Sequence, residues 1–587
     1  MAALNLRAGQ LDLLYQDGFI RYIRLGEKEI VRMINHALRD HDWGTVPMEI
    51  IHENLRQEEE SFQIDYQARF RQADISFDLH CTIAGKADGS IHFHYHGESK
   101  STFKRNRIGF TVLHPITECA GEKVTIVHPD GNETESVFPK WISPHQPFMD
   151  IKAMHWQLED HTRASLFFEG EVFETEDQRN WTDASYKTYC TPLGLPFPVT
   201  VKKGEEIRQY IQLQVIPGKS NNQTKTGKDA VTVLLTGAAD TLPTIGTVMN
   251  SSPSHGPQII KDLGLEYLRV DFDMDAPFEK PLHLLEKAAE WNIPVELALF
   301  TDGEKTYEQL RPHGEYFSGV KKLLLFGSST KTTPSQLIAE VSGWKKLMPE
   351  AAIYAGTDAF FTELNRERVD AELLEGVTYS LNPQVHAFDN ASLVETLEAQ
   401  AYTVEAAKNL YPDKKINISP VSYHMRWNPN ATDPSKSLRH PTGWSDPRIH
   451  QFFGAGWLLT SLKYLAQSGL DEVAYFELEG ENGWHKDGNG QSPMYLLRRE
   501  LSPYKTIIHC RCSRPLEVDG ICLEQEGKSV LLLVNWTKAQ QEVDLPQGYG
   551  PSKYCQEIQE RPASLEWRAL VSSSTLPPKS ICWFEKG

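Results

Sequence analysis

Hydrophobic and polar residues alternate along several stretches of the first 235 residues. The alternation runs through residues 61–70, 75–83 and 90–97, and turn sequences occur at 85–89 and 129–132. Such alternation is typical of antiparallel strands that bury one face and expose the other. Many short strands joined by regular turns favour two packed sheets. We therefore predict an N-terminal β-sandwich domain over residues 1–235.

The period of the pattern changes after a polar segment at 217–227, which we predict to be a linker. Short apolar runs then alternate with helical patterns, the clearest of which are 283–291 and 392–402. This order is typical of βα units and a parallel sheet. The apolar runs predict eight strands: 244–249, 266–273, 294–300, 321–326, 352–357, 376–382, 415–422 and 471–479.

Eight strands within about 240 residues match a (β/α)8 TIM barrel in number and length, which we predict over residues 236–504. A doubly wound open sheet is the alternative. No Gly-X-Gly-X-X-Gly turn follows the first strand, and this disfavours a nucleotide-binding form of that sheet. Apolar runs at 528–536 and 581–584 indicate buried strands. Residues 505–587 are therefore predicted to form a small C-terminal β domain, which strands from the N-terminal domain could complete.

The charge balance disfavours two classes of partner. The chain has 60 Lys and Arg against 79 Asp and Glu, a formal net charge of −19. Nucleic acids and anionic membranes both require basic surface. The sequence contains no run of about 18 apolar residues, so we expect no membrane helix. The first residues lack the apolar core of a secretory signal. We expect a cytoplasmic protein that acts on a small molecule, with homo-oligomerisation left open.

Asp271, Asp273 and a histidine could coordinate a metal ion, but no motif with metal-ligand spacing such as His-Glu-X-X-His is present. No cofactor is indicated. The eight scattered cysteines are expected to be reduced, buried thiols. Cys510 and Cys512 are too closely spaced for a zinc knuckle. The histidines at 92, 94 and 96 share one strand face, but no nearby carboxylate or cysteine completes a site.

Candidate chemistry lies at the C-terminal ends of the predicted barrel strands, where TIM-barrel active sites are built. The last strand places Tyr475, Glu477 and Glu479 on one face, because side chains alternate along a strand. Polar side chains at the other strand ends are Asp271, Glu363, Asn365, Asn382, His386, His424 and Arg426. Two carboxylates can act as acid and base when their environments separate their pKa values.

The segment 174–189 is rich in polar and aromatic residues and has little apolar periodicity. A segment of this kind does not form a core by itself. Two interpretations stay open: a loop that reaches a binding site, and a covered loop between strands.

Several long motifs resemble the D-apionate lactonase family. They are FTELNR at 361–366, NPQVHAFDN at 382–390, NPNAT at 428–432, YFE at 475–477 and EDQRNWTDASYKTY at 176–189. The resemblance spans nearly the whole chain. It implies hydrolysis of D-apionolactone to D-apionate in bacterial breakdown of the plant sugar apiose. It also implies a β domain, a barrel and a C-terminal β domain.

Lactone hydrolysis requires a base that activates water, donors for the oxyanion, and an acid for the leaving ring oxygen. We assign acid and base to Glu363 and Glu477, in an order that the sequence leaves open. His386, His424 or Arg426 would stabilise the oxyanion, and Asp271, Asn365 and Asn382 would bind hydroxyls. No Gly-X-Ser-X-Gly elbow is present, which disfavours a serine acyl-enzyme.

Two other functions are consistent with the same pattern. A barrel with two glutamates at its rim is also typical of a retaining glycoside hydrolase. A non-catalytic carbohydrate-binding protein is the third alternative, and it would show binding without turnover.

Overall fold

The computed structural model describes residues 3–218, 230–251, 253–303, 306–429, 431, 445–486, 491–557, 565–572 and 574–587. These residues form two compact units. The first unit contains residues 3–179, 184–218 and 431, and the second contains residues 180–183 and all other described residues. Most of the predicted linker at 217–227 lies outside the described residues.

Antiparallel strands make up most of the described part of the first unit, which also contains the short α-helix α1 (Ile116–Cys119). The strands are β1 (Leu4–Ala8), β2 (Leu11–Gln16), β3 (Phe19–Leu25), β4 (Lys28–Asp40), β5 (Met48–Gln57), β6 (Phe62–Gln72), β7 (Ile75–Gly85), β8 (Ser90–Ser99), β9 (Phe103–Pro115), β10 (Lys123–Val127), β11 (Glu133–Val137), β12 (Phe148–Ile151), β13 (Ala153–Gln157), β14 (Arg163–Glu169), β15 (Phe173–Asp177), β16 (Ser185–Tyr189), β17 (Val199–Val201) and β18 (Glu206–Ile216). One sheet has the order β1-β2-β3-β4-β9-β16-β15-β12, with β17 beside β9. The other has the order β11-β10-β13-β14-β18-β8-β7-β6-β5.

The two sheets pack face to face through aromatic side chains. Nε2 of His36 on β4 lies 2.7 Å from the hydroxyl of Tyr66 on β6. The rings of Tyr95 on β8 and Phe110 on β9 meet edge to face, with centroids 5.6 Å apart. Burial lowers the pKa of His36 to about 3, so this imidazole is a neutral core side chain. The β-sandwich prediction is confirmed.

The second unit contains a closed parallel barrel, as predicted. Its strands are β20 (Thr244–Val248), β21 (Tyr267–Asp273), β22 (Val295–Phe300), β23 (Val320–Phe326), β24 (Ala352–Gly356), β25 (Gly376–Leu381), β26 (Lys415–Val421) and β27 (Glu472–Glu479). Each strand pairs in parallel with the next, and β20 pairs with β27, which closes the barrel. A short strand, β28 (Gly483–His485), pairs with β27. Every predicted strand boundary lies within one residue of the observed one.

Helices lie between the barrel strands, and one more follows the last strand. They are α2 (Gln258–Leu263), α3 (Glu279–Glu290), α4 (Thr306–Leu310), α5 (Ser335–Ala339), α6 (Val341–Leu347), α7 (Phe361–Arg366), α8 (Asn390–Glu395), α9 (Leu397–Leu410), α10 (Phe452–Gln467) and α11 (Pro493–Leu501). The helix predicted over 392–402 is in fact two, α8 and α9, divided at Thr396. The Thr396 hydroxyl donates to the Leu393 carbonyl at 2.8 Å, and such local bonds compete with the helical pattern. In the part of the chain that the structure describes, no helix is both long and apolar enough to cross a membrane.

The inside of the barrel contains a chain of paired charges. Nζ of Lys322 lies 3.0 Å from Glu296 and 2.7 Å from Glu472. Asn417 donates to Glu296 at 2.8 Å, and the Ser419 hydroxyl donates to the other oxygen of Glu296. Buried charges are tolerated only when they are paired in this way. From Ser419 this series of hydrogen-bonded side chains extends to the C-terminal end of the barrel.

The C-terminal sheet includes a strand that precedes the barrel in sequence. Its members are β19 (Val231–Thr241), β29 (Thr506–Cys512), β30 (Val518–Gln525), β31 (Lys528–Asn535), β32 (Gln541–Asp544), β33 (Tyr549–Gln556), β34 (Arg568–Ala569), β35 (Thr575–Leu576) and β36 (Ser580–Lys586). The sheet order is β34-β33-β36-β31-β30-β29-β19-β32-β35. The predicted boundary between residues 235 and 236 therefore falls inside β19. All eight cysteines of the chain are buried free thiols.

Candidate active site

All eight predicted site residues lie at the C-terminal ends of barrel strands or just beyond them. They are Asp271 in β21, Glu363 and Asn365 in α7 after β24, Asn382 and His386 after β25, His424 and Arg426 after β26, and Glu477 in β27. Because parallel strands of a closed barrel end at one rim, these residues share one end of the barrel.

Two arginines and two aspartates form a hydrogen-bonded network at this rim. Arg426 donates to Oδ2 of Asp271 at 2.8 Å and to Oδ1 of Asp358 at 2.6 Å. Arg269 donates to Oδ1 of Asp271 and to Oδ1 of Asp358, both at 2.7 Å. A third contact joins Arg269 to Ser419, where the interior chain of charges ends. The network fixes Asp271 and Arg426 relative to each other.

Glu363 is a buried carboxyl group whose pKa is displaced toward neutrality. Its side chain is 5% exposed, and Nζ of Lys331 lies 3.9 Å from its Oε1. Its buried Oε2 has no hydrogen-bond partner among the described residues. Burial raises the pKa of Glu363 to about 7, although Lys331 and Arg366 act in the opposite direction. A carboxyl group with this pKa can donate or accept a proton near pH 7.

Glu477 follows a bulge in the last barrel strand. The register between β20 and β27 shifts by one residue between Ala474 and Glu477, and Phe476 has a φ of 54°. The Tyr475 hydroxyl lies 2.8 Å from that of Ser461 on α10, so Tyr475 points out of the barrel. The prediction that Tyr475 shares a face with Glu477 is wrong, because the extra residue interrupts the alternation. The Glu477 carboxylate is half-buried and makes no hydrogen bond or ion pair to the described residues.

Glu479, two residues further on, holds the loop after β20. Its carboxylate accepts bonds from the backbone N–H groups of Ser254 and His255, at 2.7 and 2.9 Å, and from both side chains. Burial by itself would raise the pKa of Glu479, but these hydrogen bonds lower it overall. Every oxygen of this carboxylate is thus occupied by the loop.

His386 is paired with a residue that the sequence did not single out. Its Nδ1 lies 2.5 Å from Oδ2 of Asp183, and both side chains are mostly buried. Trp181 meets the His386 ring edge to face, with centroids 5.5 Å apart. The imidazole is therefore held by a hydrogen bond and by a ring contact.

Asp183 and Trp181 belong to the polar and aromatic segment 174–189. Residues 173–177 and 185–189 of this segment are strands of the first unit, whereas residues 180–183 group with the barrel. Nδ2 of Asn365 donates to Oδ1 of Asn180 at 3.0 Å. Thr182 has a φ of 70°, which a β-branched residue rarely adopts. Of the two interpretations, the loop that reaches the candidate site is the correct one for residues 180–183.

His424 is neutral at physiological pH. Burial lowers its pKa to about 4, and its buried Nδ1 has no hydrogen-bond partner in the described ranges. A neutral imidazole donates from one nitrogen only. Stabilisation of an oxyanion by a positively charged His424 is therefore disfavoured.

Asn382 is oriented by its own loop. Its Oδ1 accepts the backbone N–H of Gln384 at 3.0 Å. Gln384 in turn donates to Asp446 at 2.9 Å and accepts from Arg448 at 3.0 Å. These bonds fix the loop that leads from Asn382 to His386.

The structure joins some of the predicted residues directly and leaves others separate. Asp271 and Arg426 are hydrogen-bonded to each other. Within the described residues, no hydrogen bond or ion pair links Glu363 to Glu477. Sequence reasoning missed Asp183, Gln384 and Asp446. The one available signal was the polar and aromatic composition of 174–189, which marks a segment but not a residue.

Among the described residues, no group of three or more His, Cys, Asp or Glu side chains is arranged to hold a metal ion.

Two solved structures resemble this chain weakly. A GH30 endoxylanase from Clostridium papyrosolvens and a 4-O-α-L-rhamnosyl-β-D-glucuronidase from Fusarium oxysporum each align with 61% of this chain and 100% of their own. Their sequence identities are 11% and 10%, and both TM-scores are 0.41.

Sequence comparison is more specific. A family model described as the D-apionate lactonase N-terminal domain matches residues 1–218, and one described as the D-apionate lactonase TIM barrel domain matches residues 254–506. A D-apionate lactonase of Brucella anthropi is 29% identical over 580 residues, covering 92% of this chain and 94% of the relative. Since the two models together match well over half of its length, the chain belongs to the D-apionate lactonase family and is a lactonase.

Proposed function

We propose that this lactonase hydrolyses D-apionolactone to D-apionate in bacterial breakdown of the plant sugar apiose. The family and the named relative support the substrate. The observation that carries the chemistry is the buried carboxyl group of Glu363 at the barrel rim, with its pKa raised to about 7.

A lactone is a cyclic ester, so its hydrolysis breaks the bond between the carbonyl carbon and the ring oxygen. Water must lose a proton as it attacks, and the ring oxygen must gain one as it leaves. We assign the second step to Glu363, because a carboxyl group with a pKa of about 7 is substantially protonated at neutral pH. Two groups are candidates for the first step: the Glu477 carboxylate and the His386 imidazole.

The remaining polar groups are assigned to binding. Arg426 is the proposed donor to the carbonyl oxygen, and Asp271 keeps its guanidinium in place. The amide nitrogen of Asn382 makes no hydrogen bond within the described ranges, so it is free to donate to a substrate hydroxyl. Asn365 is assigned the same task, while its Nδ2 holds Asn180.

Proton release in weak buffer near pH 7 tests this function. D-Apionolactone is compared with a panel of other aldonolactones and with aryl glycosides. Fast acid release from D-apionolactone is the expected result. Cleavage of aryl glycosides without lactone turnover would instead identify a glycosidase and overturn the proposal.

The role of Glu363 is tested with Glu363→Gln, which should lower kcat by about 10²- to 10⁴-fold. Glu367→Gln is the matched control, since Glu367 is exposed one turn further along the same stretch and bonds to Thr332. Wild-type turnover in Glu363→Gln would remove Glu363 from the mechanism.

A further inference from the structure

The four residues Asn180 to Asp183 are held against the barrel rim at several points. Asn180 accepts a hydrogen bond from Asn365. The Trp181 ring contacts two rim side chains: it meets the His386 ring edge to face, and the Arg366 guanidinium lies 5.3 Å from its centroid. This short segment therefore has a defined place beside His386.

The hydrogen bond between Asp183 and His386 decides which imidazole nitrogen carries the proton. A carboxylate only accepts hydrogen bonds, so Nδ1, which lies 2.5 Å from Oδ2 of Asp183, must be the donor. In the neutral ring the other nitrogen, Nε2, then carries the lone pair. A neutral His386 of this tautomer accepts a proton at Nε2 and cannot donate from it.

This tautomer changes the role that the sequence suggested for His386. Stabilisation of an oxyanion requires a donor, whereas Nε2 of the neutral ring is an acceptor. When Nδ1 of a histidine donates to a carboxylate, the ring is also suited to become positively charged, because the carboxylate stabilises the imidazolium that forms. Both properties are those of a general base.

We propose that Asp183 is a positioning residue that makes His386 the general base of lactone hydrolysis. The proposal rests on the proposed function and chooses between its two candidates for the base. Glu477 then remains at the rim as an acceptor for a substrate hydroxyl. Asp183 belongs to the segment between β15 and β16, which precedes the barrel strands in the sequence.

Hydrolysis consists of the addition of water to the carbonyl carbon and the expulsion of the ring oxygen. Nε2 of His386 takes one proton of water while the water oxygen bonds to the carbonyl carbon and the carbonyl π electrons move to its oxygen. When the carbonyl re-forms, the bond to the ring oxygen breaks, and that oxygen takes the Glu363 proton. Loss of the imidazolium proton and reprotonation of Glu363 restore the enzyme. The new carboxylic acid ionises and releases one proton to solvent.

The test begins with Asp183→Asn in the full-length protein. An asparagine amide can donate to Nδ1, which moves the ring proton to Nε2 and removes the lone pair there. We expect kcat to fall by about 10²- to 10⁴-fold with little change in KM. Part of the loss should be recovered as pH rises, because hydroxide then replaces the base. Asp183→Glu should retain more activity than Asp183→Asn.

Two controls separate this role from a structural one. Asp273→Asn makes the same chemical change at another position of the rim and should leave kcat near the wild-type value. His386→Gln and the double variant His386→Gln with Asp183→Asn should have the same kcat, because Asp183 acts only through His386. The proposal would be overturned if the two substitutions lowered kcat independently, so that their effects multiplied in the double variant. A wild-type kcat in Asp183→Asn would also overturn it.

A direct measurement on the wild-type protein covers the case in which the variants do not fold. In protein labelled with ¹⁵N-histidine, the resonances of His386 should show the proton on Nδ1 and an unprotonated Nε2. A proton on Nε2 alone would overturn the proposal. If the wild-type protein hydrolyses no lactone, the proposed function fails, yet the tautomer still reports whether Asp183 controls His386.

Discussion

Arg426 and Asp358 are joined by a hydrogen bond of 2.6 Å between Nη1 and Oδ1, and the same oxygen accepts Nη2 of Arg269 at 2.7 Å. One carboxylate oxygen thus accepts hydrogen bonds from two guanidinium groups, which come from the ends of different strands. The side chains of Arg269 and Asp358 are almost completely buried. The position of Arg426 at the rim therefore depends on a charge that solvent does not screen.

The first prediction concerns this carboxylate. Asp358→Asn leaves two buried arginines with one carboxylate fewer, so the free energy of unfolding should fall by about 3–5 kcal/mol. Urea unfolding at pH 7 measures the loss. Asp273→Asn, at a half-exposed position of β21, is the matched control. A loss under about 1 kcal/mol, the size of an average substitution, would show that the network contributes little to stability.

The second prediction concerns stability and Glu363. Its pKa rises from 4.5 to about 7 on folding. Between these values the folded protein retains a proton that the unfolded chain releases, so the free energy of unfolding falls as pH rises through this range. The total is about 3 kcal/mol, because one pKa unit corresponds to about 1.4 kcal/mol.

Glu363→Gln cannot ionise and should escape this loss. At pH 8 it should be more stable than the wild-type protein by up to about 3 kcal/mol, and the difference should disappear near pH 4.5. Urea unfolding at both pH values measures the difference, with Glu367→Gln as the exposed control. Equal differences at the two pH values would contradict a buried ionisation at Glu363.

The third prediction concerns His424. Since burial lowers its pKa to about 4, His424 stays neutral between pH 5 and pH 8. His424→Gln should therefore leave the shape of the profile of kcat/KM against pH unchanged, whatever it does to the absolute value. If the acid limb of the profile disappears in this variant, then His424 titrates in the working range and its environment is more polar than the structure indicates.

The fourth prediction concerns the loop held by Glu479. Hydrogen bonds from Ser254 and His255 outweigh the effect of burial and lower the pKa of this carboxylate below its ordinary value of 4.5. A lowered pKa gives stability that is present above pH 4.5 and is lost as pH falls through the folded-state pKa. Glu479→Gln should therefore be less stable than the wild-type protein at pH 7, and the gap should narrow below pH 4. Thermal unfolding at the two pH values measures this difference in stability between the variant and the wild-type protein. A difference that does not change with pH would argue against an ionised Glu479.

Much of the fold could be read from the sequence because its signals are local and periodic. Each barrel strand is a short apolar run bounded by polar residues. The predicted strands 294–300 and 321–326 therefore each differ from the observed strands, 295–300 and 320–326, by one residue. The same reasoning failed at Tyr475, because it assumes an unbroken alternation. A bulge depends on the register with the neighbouring strand, and one strand's sequence does not contain that register.

The candidate site was only partly accessible to sequence reasoning. Glu363 and Glu477 could be placed at strand ends by counting, yet nothing in the sequence indicated that one would be buried with a raised pKa. Burial results from the packing of many distant residues, whereas a pattern reports only on near neighbours. Asp183 and His386 are 203 residues apart, and no spacing rule connects residues at such a distance.

By itself the sequence determined the order of the elements, the barrel and its flanking sheets, and the set of polar side chains at the strand ends. These follow from hydrophobic periodicity, which each segment carries independently of the rest. Only the tertiary structure decided which of those side chains meet. In the folded protein Asp271 and Asp358 accept hydrogen bonds from two arginines, Glu479 accepts hydrogen bonds from a loop, and Asp183 is hydrogen-bonded to His386. Such contacts between distant segments depend on how the whole chain packs.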